Sequence, residues 1–155
     1  MTLIEQLKRD EGSVHVTGPQ NGLIDYLDSK KLWTRGYGHL LTPQPSTVVA
    51  YQPQVISEAE ATALLVDDLN KHDADLFRMW PEVLRHNQYA VDAVRNMNFN
   101  LGTTRLLGFK GFVRAMNVGN YIVAVIEMLD SKWHREDVGP RAVRLAKQIA
   151  TRTYQ

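Results

Sequence analysis

The stretch LIDYLDSKKLWTRGYGHLLT, residues 23–42, has no helical periodicity and is interrupted by glycines and polar turn residues. Its apolar β-formers predict two paired strands, over residues 23–27 and 32–37, around a turn at residues 29–31. The longer segment 13–42 has the same character, so the sequence predicts a small, irregular antiparallel sheet near the start of the chain.

Helical patterns lie on both sides of this segment. Capping boxes, in which Ser or Thr is followed three residues later by Glu, begin two of the helices. The boxes are Thr2 with Glu5, and Ser57 with Glu60. They predict a short helix over residues 2–11, ended by Gly12, and a long helix over residues 57–79. Apolar spacing predicts further helices over residues 88–98, 109–117, 120–129 and 140–151.

Composition restricts the class of protein. The chain has 155 residues, of which 44% are hydrophobic and 23% charged, as in an ordinary globular domain. Cysteine is absent, which excludes disulfides and thiolate metal sites and fits a reducing cytoplasm. No signal-peptide segment or apolar run of membrane-spanning length is visible, so we expect a soluble protein without stable membrane insertion. The net charge of +1 gives no general attraction to nucleic acid.

Glu11 is the first candidate for chemistry. It lies four residues after Leu7 and continues the apolar stripe of the first helix. Partial burial there and the negative end of the helix dipole both favour the protonated carboxyl. Such a group suits a general acid that protonates a leaving oxygen. The alternative is a structural ion pair with an arginine such as Arg141, which is the commoner use of a glutamate at a helix end.

Asp28 and Thr34 are the second and third candidates. Asp28 begins the polar turn, where an aspartate commonly bonds the backbone two residues on. Opposite Glu11, an ionised Asp28 can instead take a proton from water that attacks an anomeric carbon, and the Thr34 hydroxyl can orient that water. Two carboxyl groups held apart in this way are what acid–base cleavage of a glycosidic bond requires. Without the surrounding motif, Thr34 is an ordinary strand residue.

His39 follows a glycine-rich strand and can act as a metal ligand, a base or a pairing partner, of which we expect pairing. The other four histidines are scattered singly and form no zinc pattern. The glycines likewise form no phosphate-binding loop, since no strand, glycine loop and helix with a lysine occur in order. The sequence therefore predicts neither a metal nor a cofactor.

Taken together, these motifs resemble the phage-type lysozymes, the endolysins of glycoside hydrolase family 24. The motifs that carry the resemblance are residues 10–12, 26–28, 33–42, 87–89, 98–102, 108–109, 131–133 and 140–142. They cover nearly the whole chain, and an ordered set of this size is hard to obtain by chance.

The resemblance implies an α+β fold, predominantly α, as a single lysozyme-like domain over residues 1–155. A small β-containing lobe, at about 13–56, is expected to be joined by the linking helix 57–79 to a helical lobe, at about 80–155 plus helix 2–11, with the active-site cleft between them. The implied reaction is hydrolysis of the β-1,4 bond between N-acetylmuramic acid and N-acetylglucosamine in peptidoglycan. The family inverts the anomeric centre, so the two carboxyl groups should lie about 6.5–9.5 Å apart.

The resemblance also implies roles for individual residues. Glu11 matches the general acid, Asp28 the second carboxylate and Thr34 the water-positioning threonine. Four further residues fall at positions that line the substrate cleft: Leu40, Phe99, Phe112 and Glu127. At the last two of these, smaller polar residues are familiar in the family. His39 paired with Asp68, and Arg141, which can approach Glu11, are expected as structural supports.

This chain departs from the family in spacing, since sixteen residues separate Glu11 from Asp28 and residues 15–22 look inserted. The resemblance further implies a monomeric endolysin for host cell lysis, held in the host cytoplasm until a holin partner opens a route to the periplasm and cell wall. Three other readings stay open: a lytic transglycosylase, a non-catalytic peptidoglycan-binding module on the same fold, and a nucleic-acid or membrane-disrupting role for the basic segment 138–155.

Overall fold

The computed structural model describes residues 1–17, 21–45 and 51–155, which form two compact units. One unit, here called the sheet unit, contains residues 7–69, and the other, the helical unit, contains residues 1–6 and 70–155. The boundary falls inside helix α1 (Leu3–Glu11) and helix α2 (Glu58–Met79). The predicted linking helix therefore contributes one part to each unit, and the single-domain assignment stays a prediction.

The two capping boxes begin these helices as predicted. In the first, the Thr2 N–H donates to Glu5 Oε2 at 2.5 Å and the Glu5 N–H donates to Thr2 Oγ1 at 3.3 Å. In the second, the Ser57 N–H donates to Glu60 Oε2 at 2.8 Å and the Glu60 N–H to Ser57 Oγ at 3.2 Å. Each box satisfies backbone donors that the first turn of a helix leaves without partners.

The sheet unit holds two three-stranded antiparallel sheets where the sequence predicted one. The first sheet has the order β1-β2-β6, with β1 (His15–Val16), β2 (Gly22–Ile24) and β6 (Val55–Ile56). The second has the order β3-β4-β5, with β3 (Tyr26–Leu27), β4 (Trp33–Arg35) and β5 (His39–Leu40). The predicted strand 23–27 is thus divided at Asp25, and the predicted strand 32–37 ends early because Gly36 turns the chain at a φ of +57°.

The segment that looked inserted, residues 15–22, is structured at both of its ends. Strand β1 occupies its start and pairs with β2, so that His15 lies opposite Leu23. Residues 18–20 of the segment, and residues 46–50 of the predicted proline-containing loop, lie outside the described residues. The first sheet therefore uses residues that the sequence placed in loops.

The helical unit contains α3 (Gln88–Leu101), α4 (Thr103–Leu107), α5 (Lys110–Asn117), α6 (Tyr121–Leu129) and α7 (Pro140–Thr151). Helix α7 packs against α3 and α6, and α5 packs against α6. Their apolar faces enclose a core whose largest members include Leu76, Trp80, Met97, Phe112 and Trp133. The four predicted helices are confirmed. Helix α4, a 3₁₀ turn at Pro81–Arg85 and a π-helical segment at Trp133–Val138 were not predicted.

The fold class is confirmed as α+β and predominantly α. Across the described part of the chain, no helix combines the length and apolar character that crossing a bilayer requires.

Candidate active site

The end of helix α1 delivers Glu11 to a cavity of about 490 Å³ within the sheet unit. Gly12 adopts a φ of +69°, the left-handed conformation that glycine supplies at helix ends. The Glu11 side chain is half-buried, as its continuation of the apolar stripe predicted. The cavity is lined by Glu11, Tyr26, Asp28, Ser29, Lys30, Leu32, Thr34, Gly38 and Leu40.

Strands β3, β4 and β5 place three of these residues in one row. Tyr26 lies directly opposite Thr34, and Thr34 lies directly opposite Leu40. Residues opposite one another in an antiparallel sheet share a face, so all three side chains project to the same side. That side is the wall of the cavity. The row explains why Leu40 is exposed while Thr34, in the central strand, is only 3% exposed.

Asp28 is held by the turn that joins β3 to β4. Its Oδ1 accepts hydrogen bonds from the Lys30 N–H at 2.8 Å and the Leu32 N–H at 2.9 Å. Lys31 completes this turn with a φ of +61°, a left-handed conformation in which a side chain is strained. These two backbone donors fix the orientation of the carboxylate. The turn-capping and functional interpretations of Asp28 are therefore compatible.

The Thr34 hydroxyl is oriented by its own turn. Oγ1 donates its proton to the Leu32 carbonyl oxygen at 3.1 Å. A hydroxyl has one proton and two lone pairs, so a hydroxyl that donates to the backbone presents acceptor sites to its surroundings. Thr34 is thus suited to accept a hydrogen bond from a water molecule in the cavity.

A buried ion pair flanks the row. Arg35, the residue after Thr34, donates from Nε and Nη2 to the two carboxylate oxygens of Asp25, the residue before Tyr26, both at 2.8 Å. The Asp25 carboxylate also accepts from the Tyr51 hydroxyl at 2.6 Å and the Gln54 N–H at 3.0 Å. Burial alone would raise the pKa of Asp25, but these donors together lower it below its ordinary value. The pair fixes the register of β3 against β4.

Both candidate carboxyl groups affect the pKa of Tyr26. Burial raises its pKa, and the negative charges of Glu11 and then Asp28 raise it further, while the backbone N–H of Gly38 bonds the phenol oxygen and opposes the shift. The phenol is therefore a neutral hydrogen-bond donor at neutral pH. Tyr26 is close enough to Glu11 and Asp28 for the charge of each to act on its pKa.

Comparison with known proteins bears on this geometry. The sequence matches the family model described as phage lysozyme over residues 21–149. The chain belongs to the phage lysozyme family. The matched region contains Asp28 and Thr34 and begins after Glu11. The chain is also similar to the pre-baseplate central spike protein Gp5 of Enterobacteria phage T4, with 29% identity over 172 aligned positions. The alignment covers 97% of this chain, and the chain spans about 28% of the length of that curated relative.

In this phage lysozyme family member, the two predicted supporting residues of the sheet unit are in contact. His39 Nδ1 lies 2.7 Å from Asp68 Oδ2, and both side chains are largely buried. The bond connects strand β5 to helix α2. It anchors strand β5, whose second residue, Leu40, lines the cavity.

The remaining predicted site residues lie in the helical unit. Phe99 stacks at 5.0 Å from the His72 ring, measured between ring centroids. Phe112 is 1% exposed and belongs to the core, while the carboxylate of Glu127 lies against Gly111. Phe112 and Glu127 also line a separate cavity of about 540 Å³ within the helical unit. Their roles in substrate binding stay predictions.

Arg141 is buried in the helical unit, where its Nε donates to Asn96 Oδ1 at 2.8 Å and its Nη2 to the Asn96 carbonyl at 3.1 Å. Its approach to Glu11 stays a prediction. Among the residues that the structure describes, no group of three or more His, Asp or Glu side chains is arranged to hold a metal ion.

Sequence reasoning did not assign roles to Tyr26, Lys30 or Gly38, although all three line the cavity. One signal was available for Tyr26. It lies two residues before Asp28, and alternate residues of a strand share a face. The part played by Gly38 depends on the turn at residues 36–38 and had no signal in spacing alone.

Proposed function

We propose that this chain is a muramidase, which hydrolyses the β-1,4 bond between N-acetylmuramic acid and N-acetylglucosamine in peptidoglycan with inversion. The observation that carries the proposal is one cavity lined by Glu11, Asp28 and Thr34 in a chain of the phage lysozyme family. The carboxyl groups and the hydroxyl needed for acid–base cleavage are thus gathered within a single unit of the chain.

In the proposed reaction, Glu11 donates its proton to the glycosidic oxygen as the bond from that oxygen to the anomeric carbon breaks. A water oxygen bonds to the same carbon from the opposite face, and Asp28 takes a proton from that water. The products are two sugar chains that each carry a new hydroxyl, with the anomeric configuration inverted. Glu11 ends ionised and Asp28 protonated, and exchange of protons with solvent restores both groups.

The hydrogen bonds support this assignment of roles. The backbone donors to Asp28 both reach Oδ1, and within the described part of the chain no protein donor is found on Oδ2. We assign Oδ2 to the attacking water. Thr34 accepts the other hydrogen of that water, because its own proton is committed to Leu32. The inverting mechanism expects the two carboxyl groups to be about 6.5–9.5 Å apart.

Amide substitutions test the proposal. Glu11→Gln and Asp28→Asn keep the size of the side chain and remove the acid, so each should lower turnover on permeabilised bacteria or soluble glycan strands by roughly 10²–10⁴-fold. Glu136→Gln is the matched control, because Glu136 is an exposed acid paired with Lys132 at 3.3 Å. It should retain the activity of the wild type. Equal clearing by Glu11→Gln and the wild type would refute the role of Glu11.

Product analysis separates the competing chemistries. Hydrolysis gives a reducing sugar end whose first-formed anomer is inverted, and NMR on freshly cleaved oligosaccharide detects it. A lytic transglycosylase would give an anhydro-muramoyl end instead, and a non-catalytic module would give binding without product. Either result would overturn the proposed hydrolysis.

The place of action has two candidates. The first is a free endolysin that waits in the host cytoplasm until a holin opens the membrane. The second is a wall-cleaving part of a virion, which the similarity to the pre-baseplate central spike protein of phage T4 favours. Mass spectrometry of purified virions separates them, because only the second places these peptides in the particle. Lysis of expressing cells only after co-expression of a holin would support the first.

A further inference from the structure

We propose that Tyr26 is a positioning residue of the reaction, whose phenol O–H donates a hydrogen bond to the carboxylate that Glu11 becomes when it gives up its proton. The inference rests on the proposed function of Glu11 and assigns the site a fourth working side chain.

The sheet register puts Tyr26 on the correct surface. It lies directly opposite Thr34, so the two side chains are on the same face of the sheet, and both line the cavity. The Asp25–Arg35 ion pair holds this register, since its members are the chain neighbours of Tyr26 and Thr34. Tyr26 is therefore held on the face of the sheet that lines the cavity.

Gly38 lies near both the Tyr26 phenol and the Glu11 side chain. Its backbone N–H bonds the Tyr26 oxygen. The same glycine also runs alongside Glu11, because a Cβ added to it would lie 3.7 Å from Glu11 Oε2 and 3.9 Å from Glu11 Cβ. A φ of +89° keeps the chain in this path and favours glycine. The same residue is thus a neighbour of both side chains.

The direction of the hydrogen bond follows from the donor inventory. A phenol oxygen that accepts the Gly38 N–H still has its own proton to donate. The acidic groups that line the cavity are Glu11 and Asp28, and the basic group is Lys30. Asp28 becomes protonated during the proposed reaction, whereas the Glu11 carboxyl gains a full negative charge. A hydrogen bond to a newly formed anion is stronger in the transition state than before it, which raises turnover.

Tyr26→Phe tests this inference because it removes the hydroxyl and leaves the ring. We expect kcat on a soluble muropeptide oligomer to fall roughly 10–100-fold, with KM within twofold of the wild type. Tyr37→Phe is the matched control. Tyr37 is a buried tyrosine of the same unit, and its hydroxyl donates to Glu58 Oε1 at 2.6 Å, away from the cavity lining. It should keep kcat within twofold while its melting temperature falls at least as much as that of Tyr26→Phe.

The outcomes distinguish this inference from the proposed function. If Glu11→Gln abolishes turnover and Tyr26→Phe keeps more than half of kcat, the role of Tyr26 is refuted and that of Glu11 stands. A rise in KM with unchanged kcat would make Tyr26 a substrate contact and also refute the positioning role. If Glu11→Gln keeps wild-type turnover, the proposed function fails first. A fall in kcat for both phenylalanine variants would show a structural effect and overturn the inference.

Discussion

Removing the guanidinium of Arg35 should destabilise the sheet unit strongly. In the substitution Arg35→Met, the Asp25 carboxylate, whose side chain is 0% exposed, loses a two-point ion pair at 2.8 Å. Breaking a buried pair on one side costs about 3–5 kcal/mol, because an uncompensated charge stays behind. The Tyr51 hydroxyl and the Gln54 N–H remain on Asp25, which puts the expected loss near the lower end, about 3 kcal/mol. For a chain of this length, that corresponds to a fall in Tm of roughly 6–12 °C.

Thermal unfolding followed by circular dichroism measures this loss, and Arg78→Met provides the control. Arg78 pairs with Asp75 at 2.9 Å on an exposed helix face, where both side chains are more than 60% exposed. Exposed pairs contribute at most about 1 kcal/mol, so the Tm of the control should change little. The double variant Asp25→Leu with Arg35→Met should recover much of the loss, since no unpaired charge remains buried. Equal Tm changes for Arg35→Met and Arg78→Met would refute the reasoning.

Three further outcomes follow from local geometry and charge. The pKa of Asp25 is lowered in the folded state, so the stability that the ionised Asp25 carboxylate contributes should be complete above about pH 5 and disappear as the pH falls below about 3.9. Urea unfolding midpoints measured against pH should show this loss in the wild type and not in Asp25→Asn. Gly36→Ala should lower the free energy of unfolding in urea by more than about 2 kcal/mol, and Gly12→Ala should lower it by about 1 kcal/mol. Both glycines have a positive φ, but only at Gly36 would an added Cβ lie 2.9 Å from a side chain of helix α2. Burial and the hydrogen bond to Asp92 raise the pKa of Tyr154 to about 12. The stability that this phenol contributes should therefore be present below about pH 10 and lost as the pH rises towards 12. Tyr154→Phe should remove that loss from alkaline unfolding curves.

The helices could be predicted because their signals are local. A capping box joins residues three apart, and the two boxes at Thr2 and Ser57 form the expected reciprocal bonds. Helix α4 was missed because its five residues are too few to show a period, and Gly102 with a φ of +76° separates it from α3. Short elements of this kind depend on packing against the rest of the unit.

The division of the sheet could not be predicted from the sequence around it. Asp25 looked like one polar residue in an apolar run, and alternation alone would have continued the strand. Its side chain is buried because Arg35, Tyr51 and Gln54 all supply donors to it. These residues lie 10 to 29 positions away in the chain. A strand break caused by non-local hydrogen bonds leaves no local pattern to read.

The same contrast governs the candidate site. Asp28 and Thr34 are six residues apart on one hairpin, so the turn alone sets their relation and the sequence motif was enough to select them. Tyr26 depends on the pairing of β3 with β4, and its link to Glu11 passes through Gly38 on a different turn. A side chain whose partner is chosen by register and by a third residue's backbone cannot be selected by spacing. If Tyr26→Phe lowers kcat as expected, the Asp25–Arg35 ion pair contributes to catalysis as well as to folding. It does so because the pair that divides the sheet also keeps Tyr26 on the face that lines the cavity with Glu11.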